Sequence, residues 1–522
     1  MFGFEGDNAR EKGIVLLTMC FALAMAMLDN TVVNVALPTI RADLGAGFSQ
    51  LQWIVDAYAL AFASLLLTGG ILGDRYGRKR MFLAGLVVFT IFSLACGLAT
   101  TPTQLIVARA LQGVGGALLI PGTLSIITVT FPPHERAKAL GIWAGVSGIA
   151  LALGPTLGGY MVEHLGWESV FFLNVPIGIT AFLVAMSTVR ESRSEQERKL
   201  DIVGLVLGTS ALFTVTYGLI EANALGWSDV KIIGSFVLFA ALVVAFLRWE
   251  LTNPHAVMPL RFFKIPAFSA GNTVAFAVSL GMFATFFFLT IYMQTIHGYS
   301  PFQAGAAFLP LTVAIIVTAP NSGKYASRHG SRGPMTYGLC LAGGGLILLG
   351  LLLTPTTPYW VMFPIFFAMG HGMGATMAPM TAAVMNSVGR ERAGLGSAMT
   401  NTSREVGGVL GIALLGAILS SQVRNAFAPA IAQLGLTSEQ IQTIAGSAQH
   451  GELATAGLPA ETAAAVQTAF NDAFMQGFRP ALLFAGGVLL VAAVVSNRFI
   501  PGRETIAEHH ATADASEALP AI

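Results

Sequence analysis

Residues 51–99 read LQWIVDAYALAFASLLLTGGILGDRYGRKRMFLAGLVVFTIFSLACGLA. Two apolar runs, 50–73 and 81–99, flank a turn that carries Asp74, Arg75, Arg78, Lys79 and Arg80. A bilayer core about 30 Å thick is crossed by roughly 20 apolar residues in a helix. Each run has that length, so the stretch reads as two membrane-crossing helices joined by a charged turn.

The same pattern extends in both directions. Further runs fall at 13–35, 103–128, 138–160, 170–189, 201–221, 230–250, 268–292, 303–326, 334–353, 358–385, 394–420 and 478–499, for about fourteen spans in all. The chain is 54% hydrophobic and 11% charged over 522 residues. Soluble domains carry roughly 25% charged residues, so lipid must be the solvent here. The expectation is an all-α integral membrane protein. The net charge of +1 suggests no nucleic-acid partner. Cys20, Cys96 and Cys340 each lie in an apolar run, without metal-ligand spacing or a disulfide framework. No Walker-type phosphate loop occurs, which disfavours ATP-driven transport, and no catalytic constellation or cofactor motif suggests an enzyme.

Of the 28 Lys and Arg, one set of loops holds only Arg41, Lys231, Arg424 and Arg479. Arg109 and Arg404 lie inside spans, and all the others fall on the opposite set. Positive charge stays on the cytoplasmic side, so both termini are expected in the cytoplasm of a multi-pass cell-membrane protein. Residues 421–477 read as a long external Ala/Gln-rich loop, in part helical, and 501–522 as a polar tail.

Local patterns recur. Gly70-x-x-Gly73-Asp74-Arg75-Tyr76-Gly77 matches Gly323-x-x-Ala326-Ser327-Arg328-His329-Gly330. Gln112-Gly113-x-Gly115 matches His371-Gly372-x-Gly374, and Glu135-Arg136-Ala137 matches Glu391-Arg392-Ala393. The offsets run from 253 to 259 residues. They divide the chain into a six-helix unit over 1–190, a linker with two inserted helices over 191–266, and a second six-helix unit over 267–500. Paired repeats around a central site are a transporter architecture.

Ionisable groups at membrane depth are costly and become functional candidates. They are Asp29, Asp56, Arg109, Arg404 and Glu405, with Glu221 near a helix end. Asp29 lies beside a polar stripe of Asn30, Thr31 and Asn34 and could exchange a proton or a cationic ligand. The alternative is a packing hydrogen bond. Asp56 reads as a substrate contact or as a solvated residue at the mouth of its span. Arg109 needs an acceptor, either a titrating carboxylate or a fixed structural partner. Adjacent on a helix, Arg404 and Glu405 point about 100° apart, and Glu405 is the second candidate for proton or cation binding. His371 is either a substrate contact or a packing residue.

Together these segments resemble the major facilitator superfamily, and within it the fourteen-helix drug:proton antiporter group of the EmrB/QacA type. The likeness covers about residues 13–500. Leu28 to Pro38 resembles that group's first-helix signature. Gly70, Gly73, Asp74, Arg75, Gly77 and Arg78 resemble the loop signature that latches the two halves at the cytoplasmic face. Arg109 to Gly116 resembles the fourth-helix motif, whose arginine is linked to proton transfer. Gly154, Pro155, Gly158 and Gly159 resemble the fifth-helix antiporter motif. There are departures: Ala150 replaces a glycine, Trp167-Glu168-Ser169 a Trp-Arg-Trp pattern, and Glu405 a glutamine, while in the second half Ser327 stands where the first half has Asp74. The resemblance implies a monomeric exporter of small lipophilic or cationic compounds, including antibiotics, driven by the proton motive force without a cofactor. Proton coupling would fall to Asp29, Arg109 and Glu405, and substrate contacts to Asp29, Asn34, Asp56, His371 and Glu405. A dedicated exporter of one metabolite, antibiotic or lipid is the alternative.

Overall fold

The computed structural model describes residues 9–193, 200–253, 256, 258, 260–388, 393–450 and 458–502. The tail from 503 onward, and 389–392 with the second Glu-Arg motif, lie outside the described residues.

The chain is a succession of long helices: α1 (Ala9–Leu44), α2 (Phe48–Tyr76), α3 (Arg78–Gly97), α4 (Pro102–Thr130), α5 (Pro133–Leu165) and α6 (Ser169–Thr188, broken at Leu173). Next come α7 (Ile202–Leu225) and α8 (Val230–Thr252), then α9 (Pro266–Ile296), α10 (Pro301–His329), α11 (Arg332–Leu352), α12 (Tyr359–Val388) and α13 (Ala393–Ala432). A short α14 (Ser438–His450) and a final α15 (Ala460–Phe499) complete it. Thirteen of these are long and apolar enough to cross a membrane. α5, at 33 residues, is long enough as well and runs beside α1, which makes about fourteen spans.

Helix starts follow the local chemistry. Thr101 Oγ1 accepts from Gln104 N before Pro102, and Ser300 forms a capping box with Gln303 before Pro301. Gly77 and Gly330 turn the chain at φ of 113° and 86°, a region that costs an L side chain and that glycine enters freely.

The repeat is visible in the packing. In the first half α1 lies on α5, and α2 and α3 both pack along α4; in the second, α9 lies on α13, and α10 and α11 pack along α12. The halves meet by exchange: α5 packs on α10, and α13 packs on α2. The inserted α7–α8 pair leans on α2 and α13, and Glu221 pins it by accepting from Ser49 Oγ (2.7 Å) and Trp53 Nε1 (2.9 Å).

The packing also corrects one alignment. A Cβ on Gly113 would strike the Tyr58 carbonyl, and one on Gly370 would strike the Leu311 carbonyl. Gly115 abuts Gly85 and Phe89, as Gly372 abuts Gly338 and Ala342. The true shift between α4 and α12 is therefore 257 residues, from Gly115 to Gly372. Met369, not His371, stands where the first half has Gln112. His371 corresponds to Val114.

The expected external loop is mostly helix. α13 continues to Ala432, α14 fills 438–450, and α15 begins at Ala460. Alanine is the strongest helix former, and the segment builds a small core of its own: Phe427, Ile431, Ile444, Val466 and Phe470 are buried together. Phe427 and Phe470 meet edge-to-face at 5.7 Å. Phe470→Ala should cost this subdomain about 3–5 kcal/mol. Limited proteolysis should then cut within 433–459 at least tenfold faster, with the spans unaffected.

Candidate functional site

A buried polar cluster occupies the middle of the first half. Asp29 on α1 accepts from Arg109 Nη1 (2.5 Å), Gln112 Nε2 (2.9 Å) and Asn174 Nδ2 (2.8 Å). Arg109 also donates to Gln112 Oε1 (2.6 Å) and, through Nε, to the Ile54 carbonyl (3.2 Å). Its guanidinium lies 4.3 Å from the Tyr58 ring centre and 5.7 Å from that of Phe171. Ser93 Oγ accepts from Gln112 Nε2 (2.7 Å) and Asn174 Nδ2 (3.3 Å). Five helices, α1, α2, α3, α4 and α6, thus converge on one ion pair. Both members are almost wholly buried, Asp29 at 2% exposure and Arg109 at 1%.

An isolated charge at this depth would be costly, and pairing plus hydrogen bonds offset that cost. Sequence reasoning singled out Asp29 and Arg109. It missed Asn174, Ser93 and Tyr58, which look like ordinary packing residues within apolar runs. Gln112 is visible only within the repeat and the Arg109–Gly116 motif.

A second set of polar groups has the opposite character. Asn34, Asp56, Ser279, Thr290 and Thr402 are buried on α1, α2, α9 and α13, and their side-chain polar atoms lack hydrogen-bond partners among the described residues. Asp56 is fully buried, at 0% exposure, so it is not a solvated mouth residue. It shares a face of α2 with Gln52, one turn away, which donates to the Ile412 carbonyl of α13 at 3.0 Å. Glu405 is half-buried on α13, and Tyr58 lies within electrostatic reach of both it and the Asp29–Arg109 pair. Neither Arg404 nor Glu405 has a hydrogen bond or ion pair among the described residues. A fully hydrogen-bonded ion pair in the first half thus contrasts with buried polar groups on α1, α2, α9 and α13 that have no hydrogen-bond partner among the described residues.

His371 is not part of this assembly. Its Nδ1 bonds Thr318 Oγ1 at 2.8 Å on the α10–α11 side of α12.

The two ends of the molecule differ. At the end away from the basic turns the halves interlock. Gln294 Nε2 of α9 donates to the Val35 carbonyl at 2.9 Å, and Thr156 Oγ1 of α5 donates to the Gly305 carbonyl at 3.2 Å. Gly159 abuts Pro301, and Gly305 abuts Pro155. Gly154 and Gly158 serve a different contact, letting α5 close on Thr31 and Val32 of α1. At the basic end, Gly70 and Gly73 sit at the exit of α2, where Gly73 has no neighbour within Cβ range. Asp74 pairs with Arg78 of its own half (2.8 Å). Glu191 accepts from Lys79 N (3.1 Å) and Arg80 N (3.2 Å), and Arg75 lies over the Tyr76 ring. The latch signature is thus organised within one half, and no described hydrogen bond carries it to the other. The molecule is closed at the low-charge end.

A family model described as Major Facilitator Superfamily matches residues 19–412. The chain belongs to the major facilitator superfamily. Among similar superfamily members is the tetracenomycin C resistance and export protein of Streptomyces glaucescens, 36% identical over 92% of this chain and 90% of that one. Another is the multidrug resistance protein Stp of Mycobacterium tuberculosis, 31% identical over 98% and 95%. The puromycin resistance protein pur8 of Streptomyces alboniger is 33% identical over 98% and 96%. A solved bacterial homologue of the human lysosomal transporter Spinster, inward-facing and unoccupied, superposes with a TM-score of 0.63 at 18% identity, covering 94% of this chain and 99% of that chain. The fold is the major facilitator fold.

One closing contact is a charge-assisted pair of hydrogen bonds. Glu163, exposed at the end of α5, accepts from Ser300 Oγ and from Phe302 N (3.0 Å) at the start of α10. These bonds, the hydroxyl first and the backbone second, hold its carboxyl below its ordinary value near 4.5. When the halves part, Glu163 regains that ordinary value. The clasp is therefore fully present above about pH 4.5 and is lost as pH falls through the lowered value. Measured relative to a free thiol at the same pH, because the thiolate is the reacting form, a cysteine at Gln294 should react faster with an impermeant maleimide as this face is acidified below pH 4.5. Glu163→Gln should react faster at pH 7 and lose most of that pH dependence. Identical pH profiles in the two proteins would exclude the clasp.

Proposed function

We propose that this superfamily member is a proton-coupled antiporter that exports small lipophilic or cationic compounds, antibiotics among them, by alternating access. It would do so in the cell membrane, with its basic turns and both termini in the cytoplasm. The observation that carries this reading is the Asp29–Arg109 pair, fully hydrogen-bonded within one half beneath a closed low-charge end.

A proton arriving on Asp29 neutralises the carboxylate. Arg109 then keeps Gln112, the Ile54 carbonyl and the Tyr58 and Phe171 rings, so α1 is no longer held to α4 by charge. The change is felt where α1 touches α9 and α10 of the other half. Glu405, facing the seam from α13, offers a carboxylate to a cationic cargo or a second proton. The energetic scale is adequate: one charge crossing 100 mV is worth about 2.3 kcal/mol, and a tenfold gradient needs about 1.4 kcal/mol.

The names of the relatives divide between single antibiotics and multidrug resistance, so export of one dedicated compound is the second reading. Proteoliposomes with an imposed pH gradient test both. Ethidium as lipophilic cation and puromycin as antibiotic should each be driven against their gradients, with protons moving oppositely. Gradient-driven transport of one compound alone would favour the dedicated exporter. No proton movement with any cargo would end the antiport reading.

A further inference from the structure

α10 and α11 each pack along α12 yet barely touch one another. A groove of about 660 Å³ runs between them, with α12 as its floor. Its walls include Val313, Val317, Tyr337 and Phe367, each 48–60% exposed on the outside of the second half. The groove therefore opens sideways to lipid, not toward the seam between the halves.

Its floor is polar. His371 bonds Thr318 through Nδ1, which leaves Nε2 without a partner among the described residues. Asn321 donates Nδ2 to the Val317 carbonyl (2.9 Å) and leaves its amide oxygen unused. Tyr337 meets the imidazole edge-to-face at 5.8 Å and fixes its plane. His371 follows Tyr359, the start of α12, by 12 residues. That is about 18 Å along the helix axis, well inside a core about 30 Å thick. Unused polar groups facing hydrocarbon at this depth are costly.

The internal repeat supplies a control. By the register set by the glycine contacts, Thr318 corresponds to Leu65 and His371 to Val114. The first half is apolar at both positions, so the fold does not require Thr318 and His371 to be polar; Asn321 corresponds to Thr68, which is polar as well.

We propose that this groove binds lipophilic small molecules bearing a phenol, whose hydroxyl can donate to the Asn321 amide oxygen and bond His371 Nε2, taken directly from the bilayer. The apolar body would lie along Val317 and Phe367, and the polar group would meet His371 Nε2 and the Asn321 amide. A phospholipid acyl chain fits the walls but has nothing to offer the floor. The proposal needs binding alone, so it can stand or fall apart from the export reading.

The test uses the full chain in lipid nanodiscs with 4-hydroxybenzophenone, a lipophilic phenol that crosslinks on illumination. Peptide mapping should concentrate label on α10, α11 and α12 around the groove. His371→Val, which installs the first-half residue, should cut that label about tenfold, the value of one hydrogen bond in a dry site. Asn321→Leu, at an exposed position where folding is not at stake, should also cut it severalfold. Label around Leu65 and Val114 should stay low throughout. Equal labelling of the two halves, or groove label unchanged by both substitutions, would mean that the groove holds acyl chains only and would overturn the proposal.

Discussion

Asp29→Asn is expected to abolish gradient-driven transport while leaving the protein folded and inserted. Asparagine has the size of a protonated aspartic acid and keeps one oxygen for Gln112 and Asn174. Removing one member of a buried ion pair typically costs 3–5 kcal/mol. Here part of that cost is covered, because Arg109 retains Gln112 Oε1, the Ile54 carbonyl and the Tyr58 ring. If protonation of Asp29 is a normal step, the substituted protein resembles a state the wild type already visits. Uphill accumulation of a neutral cargo at 100 mV should therefore fall more than tenfold, the share one proton supplies. Downhill exchange of labelled for unlabelled cargo should persist. That split separates a coupling role from a structural one, since misfolding would abolish both. Wild-type proton coupling in Asp29→Asn would remove Asp29 from the mechanism.

The legible and illegible parts of this protein divide along a physical line. Hydropathy and loop charge report the solvent of each segment, so the spans and the charged turn at Asp74–Arg80 were plain. Lone charges at membrane depth are expensive, so Asp29 and Arg109 were conspicuous. Their hydrogen-bond partners were not. Asn174, Ser93 and Tyr58 are small or amphipathic groups that any helix tolerates, and their convergence depends on the packing of five helices. The register of His371 was misread because a letter match to Gln112-Gly113-x-Gly115 ignores which glycine faces which neighbour. Only the approach of Gly370 to Leu311 and of Gly372 to Gly338 fixes it. The external segment shows helix in its alanine content but hides its small core, which is dispersed over 427–473 with no local apolar run to announce it.

Gly305→Val is expected to prevent closure of the low-charge end and so to stop the cycle in the opposite state. The exchange of α5 onto α10 and of α13 onto α2 gives the halves two symmetric seams. On the α5–α10 seam the backbones approach so closely that a Cβ on Gly305 would overlap the Pro155 carbonyl, and one on Gly159 would overlap that of Pro301. Backbone carbonyls cannot rotate aside as a long side chain could, so the added atoms must push α10 off α5. Overpacking of this kind typically costs about 1–3 kcal/mol or more, which shifts a two-state population about fivefold to 150-fold. The penalty applies only when this end is shut, because in the open state the Gly305 face is free. In a Cys340→Ser background, which leaves only the buried Cys20 and Cys96, a cysteine at Gln294 should react with impermeant maleimide at least tenfold faster than in the parent. Transport should fall by a similar factor. The Asp29–Arg109 cluster lies wholly in the first half and should be untouched, so proton binding measured by acid jump should survive. Gly159→Val, made on the opposing helix, should reproduce the effect. Slow maleimide reaction in both variants, with transport intact, would show that the seam tolerates a side chain and that closure does not depend on these glycines.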